Sequence, residues 1–234
     1  MSLAGLGGLA LRAGRSKAAR GYCEEALAIA KRLAAAEPDN TRHAMDLSAL
    51  LHRLGDLAED AGRTEEARGY FEEAFAIDTR LAAAEPDNTE HARALSVSLG
   101  RLGDLARRAG RTEEARQYFE EAFAIKKRLA AAEPDNTGHA RRLSVSLDRL
   151  GGLAADAGRT EEARGYFEEA LAIDTRLADA EPDNTGHARR LAVSLDRLGD
   201  LALRAGRTEE ARGYFEEGLA IKKRLAAAEP ESAE

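Results

Sequence analysis

The sequence predicts an all-α protein of about five stacked helical hairpins, and two observations support this fold class. The motif Gly-Arg-Thr-Glu-Glu-Ala-Arg begins at Gly62, Gly110, Gly158 and Gly206, so each copy follows the previous one after 48 residues. Apolar residues between these motifs recur at helical spacing, and no segment of the sequence alternates like a β-strand. A period of about 20–50 residues is typical of proteins that stack one supersecondary unit on the next.

The repeats occupy the whole chain and leave no room for a separate domain. A looser copy of the motif begins at Gly14 and belongs to a shortened first repeat. We place repeats 1 to 5 at residues 1–40, 41–88, 89–136, 137–184 and 185–234. The sequence therefore predicts a single repeat array.

The first helix of each repeat is predicted from one stripe of apolar residues. In repeat 2, Leu47, Leu51, Leu54, Ala58 and Ala61 recur at steps of three and four, as one face of a helix requires. We expect this helix to run from about Thr41 to Ala61. Gly62 then supplies the residue that tolerates a left-handed backbone and ends the helix.

The second helix of each repeat follows directly. Thr64 is the expected N-cap, and Glu65 and Glu66 place negative charge in the first turn, where the helix dipole favours it. Pro86 is expected to follow the end of this helix, and Asp87, Asn88 and Thr89 offer caps for the next one. Its apolar stripe consists of Ala67, Phe71, Ala74, Ile77, Leu81 and Ala84.

Two glycine positions lead to different expectations. The Gly55 position is glycine in all five repeats and lies mid-helix, where glycine costs about 1 kcal/mol relative to alanine. We expect a neighbouring helix to approach closely there. The Gly69 position holds Gln117 in repeat 3, so it is expected to face solvent.

These residues resemble the tetratricopeptide repeat family. The family pattern of Leu-Gly, a small residue, Gly, Ala and an aromatic residue returns in the later repeats and stands in repeat 2 as Leu54-Gly55, Ala58, Gly62, Ala67 and Phe71. A family unit has about 34 residues, so the extra residues add about two turns to each helix and keep its stripe in phase. Kinesin light chain-type repeats are the nearer resemblance. The resemblance implies a right-handed α-solenoid whose first helices line a concave, partner-binding surface.

No group of residues predicts catalysis, a metal site or a cofactor. Cys23 takes the position that is Phe71 in repeat 2, so it is expected to be a buried core residue. His43, His91, His139 and His187 recur every 48 residues. Because equivalent residues of stacked hairpins lie at least about 10 Å apart, these histidines cannot share one ion. They are expected to pack or hydrogen-bond in the turns between repeats, and we expect a non-enzymatic protein.

Composition excludes several partner classes. The net charge of −7 and pI of about 5.5 argue against nucleic acid as the main partner. The longest apolar runs are far too short to span a membrane. With one cysteine and no signal peptide, a reducing cytoplasm is the expected location.

Sequence differences among the repeats point to a basic surface on the first helices. Arg141 and Arg142 in repeat 4 match Arg189 and Arg190 in repeat 5, and Arg149 matches Arg197. If these helices line the inner surface, the arginines form a basic lane that suits an acidic protein or extended peptide. The tentative partner-binding residues are Arg93, Arg101, Arg141, Arg142, Arg149, Arg189, Arg190 and Arg197. The alternative is an evenly solvated surface in which these arginines form ion pairs with acidic residues of neighbouring repeats.

A position on the second helix alternates in charge. It reads Asp78, Lys126, Asp174 and Lys222 in successive repeats, which predicts ion pairs between repeats, worth only about 0–1 kcal/mol each if they are exposed.

The expected function is a non-catalytic scaffold that holds a partner protein or peptide. Two alternatives remain open: self-assembly through uncapped ends of the array, and a sensor arm of a larger signalling protein. Ile221 and Leu225 keep the internal apolar pattern in the last helix, so we expect either a segment of a longer array or ends that associate.

Overall fold

The computed structural model describes residues 3–12 and 14–228, and these residues fold into ten α-helices without a β-strand. The helices are α1 Leu3–Arg12, α2 Ser16–Ala36, α3 Thr41–Asp60, α4 Thr64–Ala84, α5 Thr89–Arg108, α6 Thr112–Ala132, α7 Thr137–Asp156, α8 Thr160–Ala180, α9 Thr185–Arg204 and α10 Thr208–Ala228. Odd-numbered helices are the first helices of the repeats, and even-numbered helices are the second. The predicted all-α solenoid class of helical repeats is confirmed.

The helices form two compact bodies, which we call the N-terminal body (up to Ala122) and the C-terminal body (from Phe123). In the N-terminal body, each helix from α1 to α5 packs against the next one along the chain. In the C-terminal body, α7 to α10 do the same. Within each body, these helices therefore contact their neighbours along the chain, as expected for repeats that bury their apolar faces by stacking.

The turn within each hairpin depends on a glycine. Gly62 has a φ of +72°, a left-handed conformation that a side chain disfavours, and equivalent glycines have nearly the same angle. The Arg63 N–H donates to the Ala58 carbonyl at 2.8 Å and closes the turn. The prediction for Gly62 is confirmed, but Thr64 is not the N-cap. Arg63 holds that place without a side-chain capping bond, because the turn brings the helix start one residue earlier.

The turn between repeats is closed by an asparagine cap. The Asn88 side-chain oxygen accepts from the Glu90 and His91 N–H groups at 3.0 and 3.3 Å, and its amide donates to Glu85 at 2.7 Å. His91 is buried beside Glu85, with its Nδ1 3.7 Å from the carboxylate. Equivalent pairs join His139 to Glu133 and His187 to Glu181. The prediction that the repeated histidines pack or hydrogen-bond in this turn is confirmed: His187 Nε2 lies 3.2 Å from Glu181, whereas His91 packs in the turn and its Nδ1 makes no hydrogen bond among the described residues.

In repeats 2 to 5, the core of the hairpin is a phenyl ring beneath a glycine. A Cβ built on Gly55 would lie 2.3 Å from the ring of Phe71, which explains why no larger residue fits there. In the N-terminal body, Phe71 also packs against Leu102 and Leu105 of the next repeat. Cys23 fills the equivalent place in repeat 1 and is fully buried, as predicted. A Cβ on Gly69 would meet nothing within 4 Å, which confirms the open position.

Ala61 and Ala84 are exposed, so the predictions that placed them in the apolar stripes are wrong; α3 and α4 bury their apolar faces mainly before their last turns. Of the residues predicted for the first helix of repeat 1, Ala13 lies outside the described residues, as does the side-chain environment of Gly7.

Candidate partner-binding surface

The eight predicted arginines lie on three first helices. Arg93 and Arg101 belong to α5 of the N-terminal body, whereas the other six belong to α7 and α9 of the C-terminal body. Their exposure differs widely. Arg141, Arg189 and Arg197 are exposed, and Arg142 and Arg149 are half-buried.

Arg190 is largely buried and forms ion pairs with two acidic residues inside the protein. Its side chain is only 17% exposed, and its Nη2 lies 2.6 Å from Asp148 Oδ2 and 3.0 Å from Asp174 Oδ2. The same nitrogen donates to Ser144 Oγ at 2.9 Å. Arg190 therefore cannot belong to a basic lane, because leaving these carboxylates would strand two buried charges.

Both arginines of α5 have acidic neighbours. Arg101 Nη2 lies 3.0 Å from Asp56 Oδ2, and Arg93 Nη2 lies 3.7 Å from Glu90 Oε1. Burial raises the pKa of Asp56, and the Arg101 guanidinium partly opposes that rise. Since both arginine side chains remain about two-fifths exposed, they can exchange these partners for others.

A buried polar cluster surrounds Asp174, the acid on α8, and we call it the Asp174 cluster: Ser144, Asp148, Asp174, Arg190 and Ser194. Ser144 Oγ donates to Asp174 Oδ1 at 2.7 Å, and Ser194 Oγ donates to Oδ2 at 2.6 Å. Ser144 comes from α7 and Ser194 from α9, so one carboxylate ties its own hairpin to the next repeat.

The N-terminal body contains a matching group, which we call the Asp78 cluster: Ser48, His52, Asp78 and Ser98. Asp78 on α4 accepts from Ser48 of α3 at 2.7 Å and from Ser98 of α5 at 2.5 Å. His52 Nε2 lies 2.9 Å from Ser98 Oγ and 3.4 Å from Asp78. Because the Ser98 hydroxyl proton goes to Asp78, His52 must donate to Ser98 through its Nε2–H.

These clusters correct the predicted role of the alternating position. Asp78, Asp174 and Lys126 are buried, so the small value expected for exposed ion pairs does not apply to them, and both acids bond to serines of first helices. Lys222 alone among the four is exposed, and it pairs with Asp196 at 2.5 Å. The sequence contained an overlooked signal: serines stand on the core side of the first helices at Ser48, Ser98, Ser144 and Ser194.

Among the described residues there is neither a candidate metal site nor a candidate membrane-spanning helix. No group of three or more His, Cys, Asp or Glu side chains within them could hold a metal ion. None of the described helices is long and apolar enough to cross a membrane.

Sequence comparison identifies the family. Two family models, both described as tetratricopeptide repeat, match the chain: one at residues 46–128 and 142–224, the other at residues 1–38. No curated protein matches the chain.

Solved structures agree on the fold. A point variant of the nearly identical TPR-like repeats of a kinesin light chain-like protein from Podosopora anserina is similar, with a TM-score of 0.65 and 21% identity over 96% of this chain and 95% of that one. BtubC (BKLC) from P. vanneervenii has a TM-score of 0.51 and 18% identity over 92% and 94%. The apo form of RapI has a TM-score of 0.60 and 12% identity over 96% and 83%. With family models that match most of its length, the chain belongs to the tetratricopeptide repeat family.

Proposed function

We propose that this protein is a scaffold that binds an acidic protein or extended peptide through exposed side chains of its first helices. Tetratricopeptide repeats generally mediate protein–protein interactions and are typically non-catalytic. The observation that supports the acidic partner is the exposure of Arg141 and Arg189, which occupy equivalent positions on α7 and α9. Exposed guanidinium groups at a regular spacing form charge-assisted hydrogen bonds to carboxylates.

The proposed surface is smaller than the predicted lane. Arg190 is excluded by its buried ion pairs, which leaves Arg141, Arg189 and Arg197 as the exposed arginines of the C-terminal body's first helices among those predicted. Arg142 and Arg149 lie beside them in sequence and are half-buried. We propose that the concave face implied by the resemblance carries these groups.

Charge reversal tests this proposal. A fluorescent peptide rich in Asp and Glu should bind the wild-type chain, and Arg141→Glu with Arg189→Glu should weaken binding at least about tenfold, or about 1.4 kcal/mol. Arg176→Glu on α8 is the matched control, because Arg176 is exposed on a second helix. Raising the salt from low to physiological concentration should also weaken binding, since screening acts over about 8–10 Å. Equal loss in the control variant would refute the first-helix surface.

Self-association is a second candidate function, supported by an apolar surface on the last hairpin. Leu203 is 52% exposed, and it lies with Leu219 and Phe215 along an open groove between α9 and α10. In the preceding repeat, Leu198 and Leu201 of α9 cover the equivalent Phe167. A second copy could cover Phe215 in the same way.

Light scattering distinguishes this candidate. If the ends associate, the average mass of the wild-type chain rises with concentration, and Leu203→Glu reduces that rise. Leu225 also lies in α10, but it is a poorer test position than Leu203. It is half-buried and packs on the cluster that contains Ile221, so a charge there would also destabilise the fold. A mass that stays at one chain over the whole concentration range would exclude self-association.

A further inference from the structure

We propose that the cleft between α7 and α9 binds a helical partner through two carboxylates, one helical turn apart, that pair with Arg197 and Arg204. The site rests on the proposed binding of an acidic partner, and it adds where a carboxylate pair binds and at which spacing. It lies in the second halves of α7 and α9, whereas Arg141 and Arg189 lie in the first halves of the same helices.

In the N-terminal body, the equivalent junction between α3 and α5 provides acids of its own for two arginines. Arg101 Nη2 lies 3.0 Å from Asp56 Oδ2. About two turns further along α5, Arg108 forms an ion pair with Glu59. Asp56 and Glu59 stand at i and i+3 on α3, so they share one face of that helix. Two carboxylates at this spacing therefore complement two arginines of the following first helix.

The C-terminal body keeps both arginines two repeats later but lacks both acids. The residues equivalent to Arg101, Asp56, Arg108 and Glu59 are Arg197, Gly152, Arg204 and Ala155. The acids that are absent would belong to α7, and both α7 and α9 are described over their full length. The difference between the two junctions therefore lies in the residues of the junction itself.

The four residues of the second junction line one cleft with a volume of about 50 Å³. A cleft of this size holds at most a few water molecules, so it accepts the head of a carboxylate side chain rather than a bulky apolar one. A Cβ built on Gly152 would meet nothing within 4 Å. The space that the Asp56 side chain occupies in the N-terminal body is therefore open here.

Both arginines lack an ion-pair partner among the described residues, although Asp200 lies between them on α9. The charge of Arg197 acts on Asp148, but that carboxylate already lies 2.6 Å from Arg190. The guanidinium groups of the cleft are therefore available to carboxylates from outside the chain.

Two acids of the cleft do not prevent this binding. Asp156 and Asp200 line it together with the arginines. Their equivalents in the N-terminal body are also acids, Asp60 and Asp104, and the two ion pairs form there in their presence. The cleft thus differs from the paired junction by the loss of two negative charges.

A helix is the partner that reproduces the missing acids. Residues at i and i+3 of a helix lie about 5–6 Å apart at their Cβ atoms, the arrangement that α3 presents to α5. The small side chains of Gly152 and Ala155 leave room for such a helix beside α7. Each carboxylate then accepts charge-assisted hydrogen bonds from one guanidinium group.

A fluorescent alanine-rich peptide with two glutamates at i and i+3 is the probe. A side-chain cross-link holds it helical, because short isolated helices are marginal in water. The control peptide has the same composition but carries the glutamates at i and i+2, which do not face the same side of a helix. Fluorescence anisotropy with the full chain at low salt should show saturable binding of the probe, at least threefold tighter than that of the control peptide.

Matched variants of the chain locate the binding. Arg204→Ala should weaken probe binding about threefold to fivefold, the contribution of one exposed ion pair. Arg108→Ala removes the equivalent arginine of α5 and should leave binding unchanged, because that arginine already pairs with Glu59. Adding Arg197→Ala to Arg204→Ala should bring the loss to at least about tenfold.

Filling the cleft from within is the converse test. Gly152→Asp combined with Ala155→Glu gives α7 the acids of α3, so the variant should no longer bind the probe. Its melting temperature should rise, since two ion pairs form and a glycine leaves a helix interior. Gly152→Asp alone, whose side chain enters open space, should weaken binding in part.

Several results would overturn the proposal: no saturable binding, equal binding of the two peptides, equal loss in Arg204→Ala and Arg108→Ala, or full binding by the filled variant. If the helical probe fails while the extended acidic peptide still binds through Arg141 and Arg189, only the cleft is refuted. If the extended peptide fails while the helical probe binds, the surface of Arg141 and Arg189 is refuted and the cleft stands.

Discussion

The Asp78 cluster and the Asp174 cluster occupy equivalent positions in the two bodies and stabilise a buried carboxylate in different ways. Both acids accept a hydrogen bond from one serine of the preceding first helix and one of the following first helix. The two clusters differ at two positions. His52 is replaced by Asp148, and Ala94 is replaced by Arg190.

The difference changes the charge balance of the interior. In the Asp78 cluster, one carboxylate faces two hydroxyls and an imidazole. In the Asp174 cluster, two carboxylates share one guanidinium. Burial opposes the charge of Arg190, but Asp148 and Asp174 outweigh it and raise the pKa of Arg190. For Asp148, burial dominates and raises the pKa even though Arg190 lowers it.

Both clusters therefore share two serines and a central acid, whereas the group that compensates the buried charge differs between them. In the N-terminal body the compensating group is His52, on the helix before the acid. In the C-terminal body it is Arg190, on the helix after the acid. The serine hydroxyls are common to both clusters, so they do not explain how much stability is lost when one compensating residue is removed. That loss depends on the number of buried charges in the cluster.

The largest expected effect is that of Arg190→Ala. It leaves two buried carboxylates without their cation and should destabilise the C-terminal body by about 3–5 kcal/mol. Urea denaturation followed by hydrogen exchange, resolved to peptides, measures the loss and its location. If the free energy of opening measured by exchange in α7 to α9 fell by less than about 1 kcal/mol, the stability of the Asp174 cluster would not depend on Arg190.

His52→Ala is the matched change in the N-terminal body and should cost less, about 1–2 kcal/mol. It removes one hydrogen-bonding group and some packing against Phe71, whose ring centroid lies 6.0 Å from that of His52, but Asp78 keeps both serine bonds. The same exchange experiment should place the loss in α3 to α5. An effect as large as that of Arg190→Ala would mean that charge balance does not separate the two clusters.

Exchanging the compensating groups tests whether these two positions alone determine the difference between the clusters. Asp148→His combined with Arg190→Ala rebuilds the residues of the Asp78 cluster around Asp174, because the serines already match. The double variant should recover at least half of the stability lost in Arg190→Ala, leaving a deficit of about 1–2 kcal/mol. A double variant no more stable than the single one would show that the neighbouring residues, and not these two positions, determine the compensation.

The smallest expected effect is the pH dependence that Asp148 contributes. Its folded-state pKa lies above the ordinary value of 3.8, so the folded protein binds more protons than the unfolded chain in the window between the two values. Stability should therefore fall as pH rises through that window. Asp148→Asn removes this contribution, so wild-type stability relative to the variant should decline from about pH 4 upward and then level off. A relative stability that rises with pH would contradict the direction of the shift.

Local patterns in the sequence are enough to predict the helical repeat fold and the positions where its helices end. The 48-residue period, the two apolar stripes and the glycine of each turn are local patterns, and a local pattern needs only helical geometry to be interpreted. The bounds of most helices, the left-handed Gly62 and the close approach at Gly55 followed from it. The aromatic partner of Gly55 was not identified, because pairing between helices depends on packing.

Which charged residues face solvent depends on packing between repeats and could not be predicted from the sequence. Arg190 and Arg189 are neighbours on one helix, yet one is locked among buried acids and the other is exposed. Asp78 and Lys222 occupy the same repeat position, yet one is buried and the other exposed. Burial of a charge depends on what the adjacent repeat presents across the junction, and residues such as Ser98 and Arg190 come from the following first helix. The cost of burying a charge, and the hydrogen bonds and ion pairs that compensate it, therefore depend on contacts between residues more than a dozen positions apart in the sequence. A local sequence pattern does not contain this information.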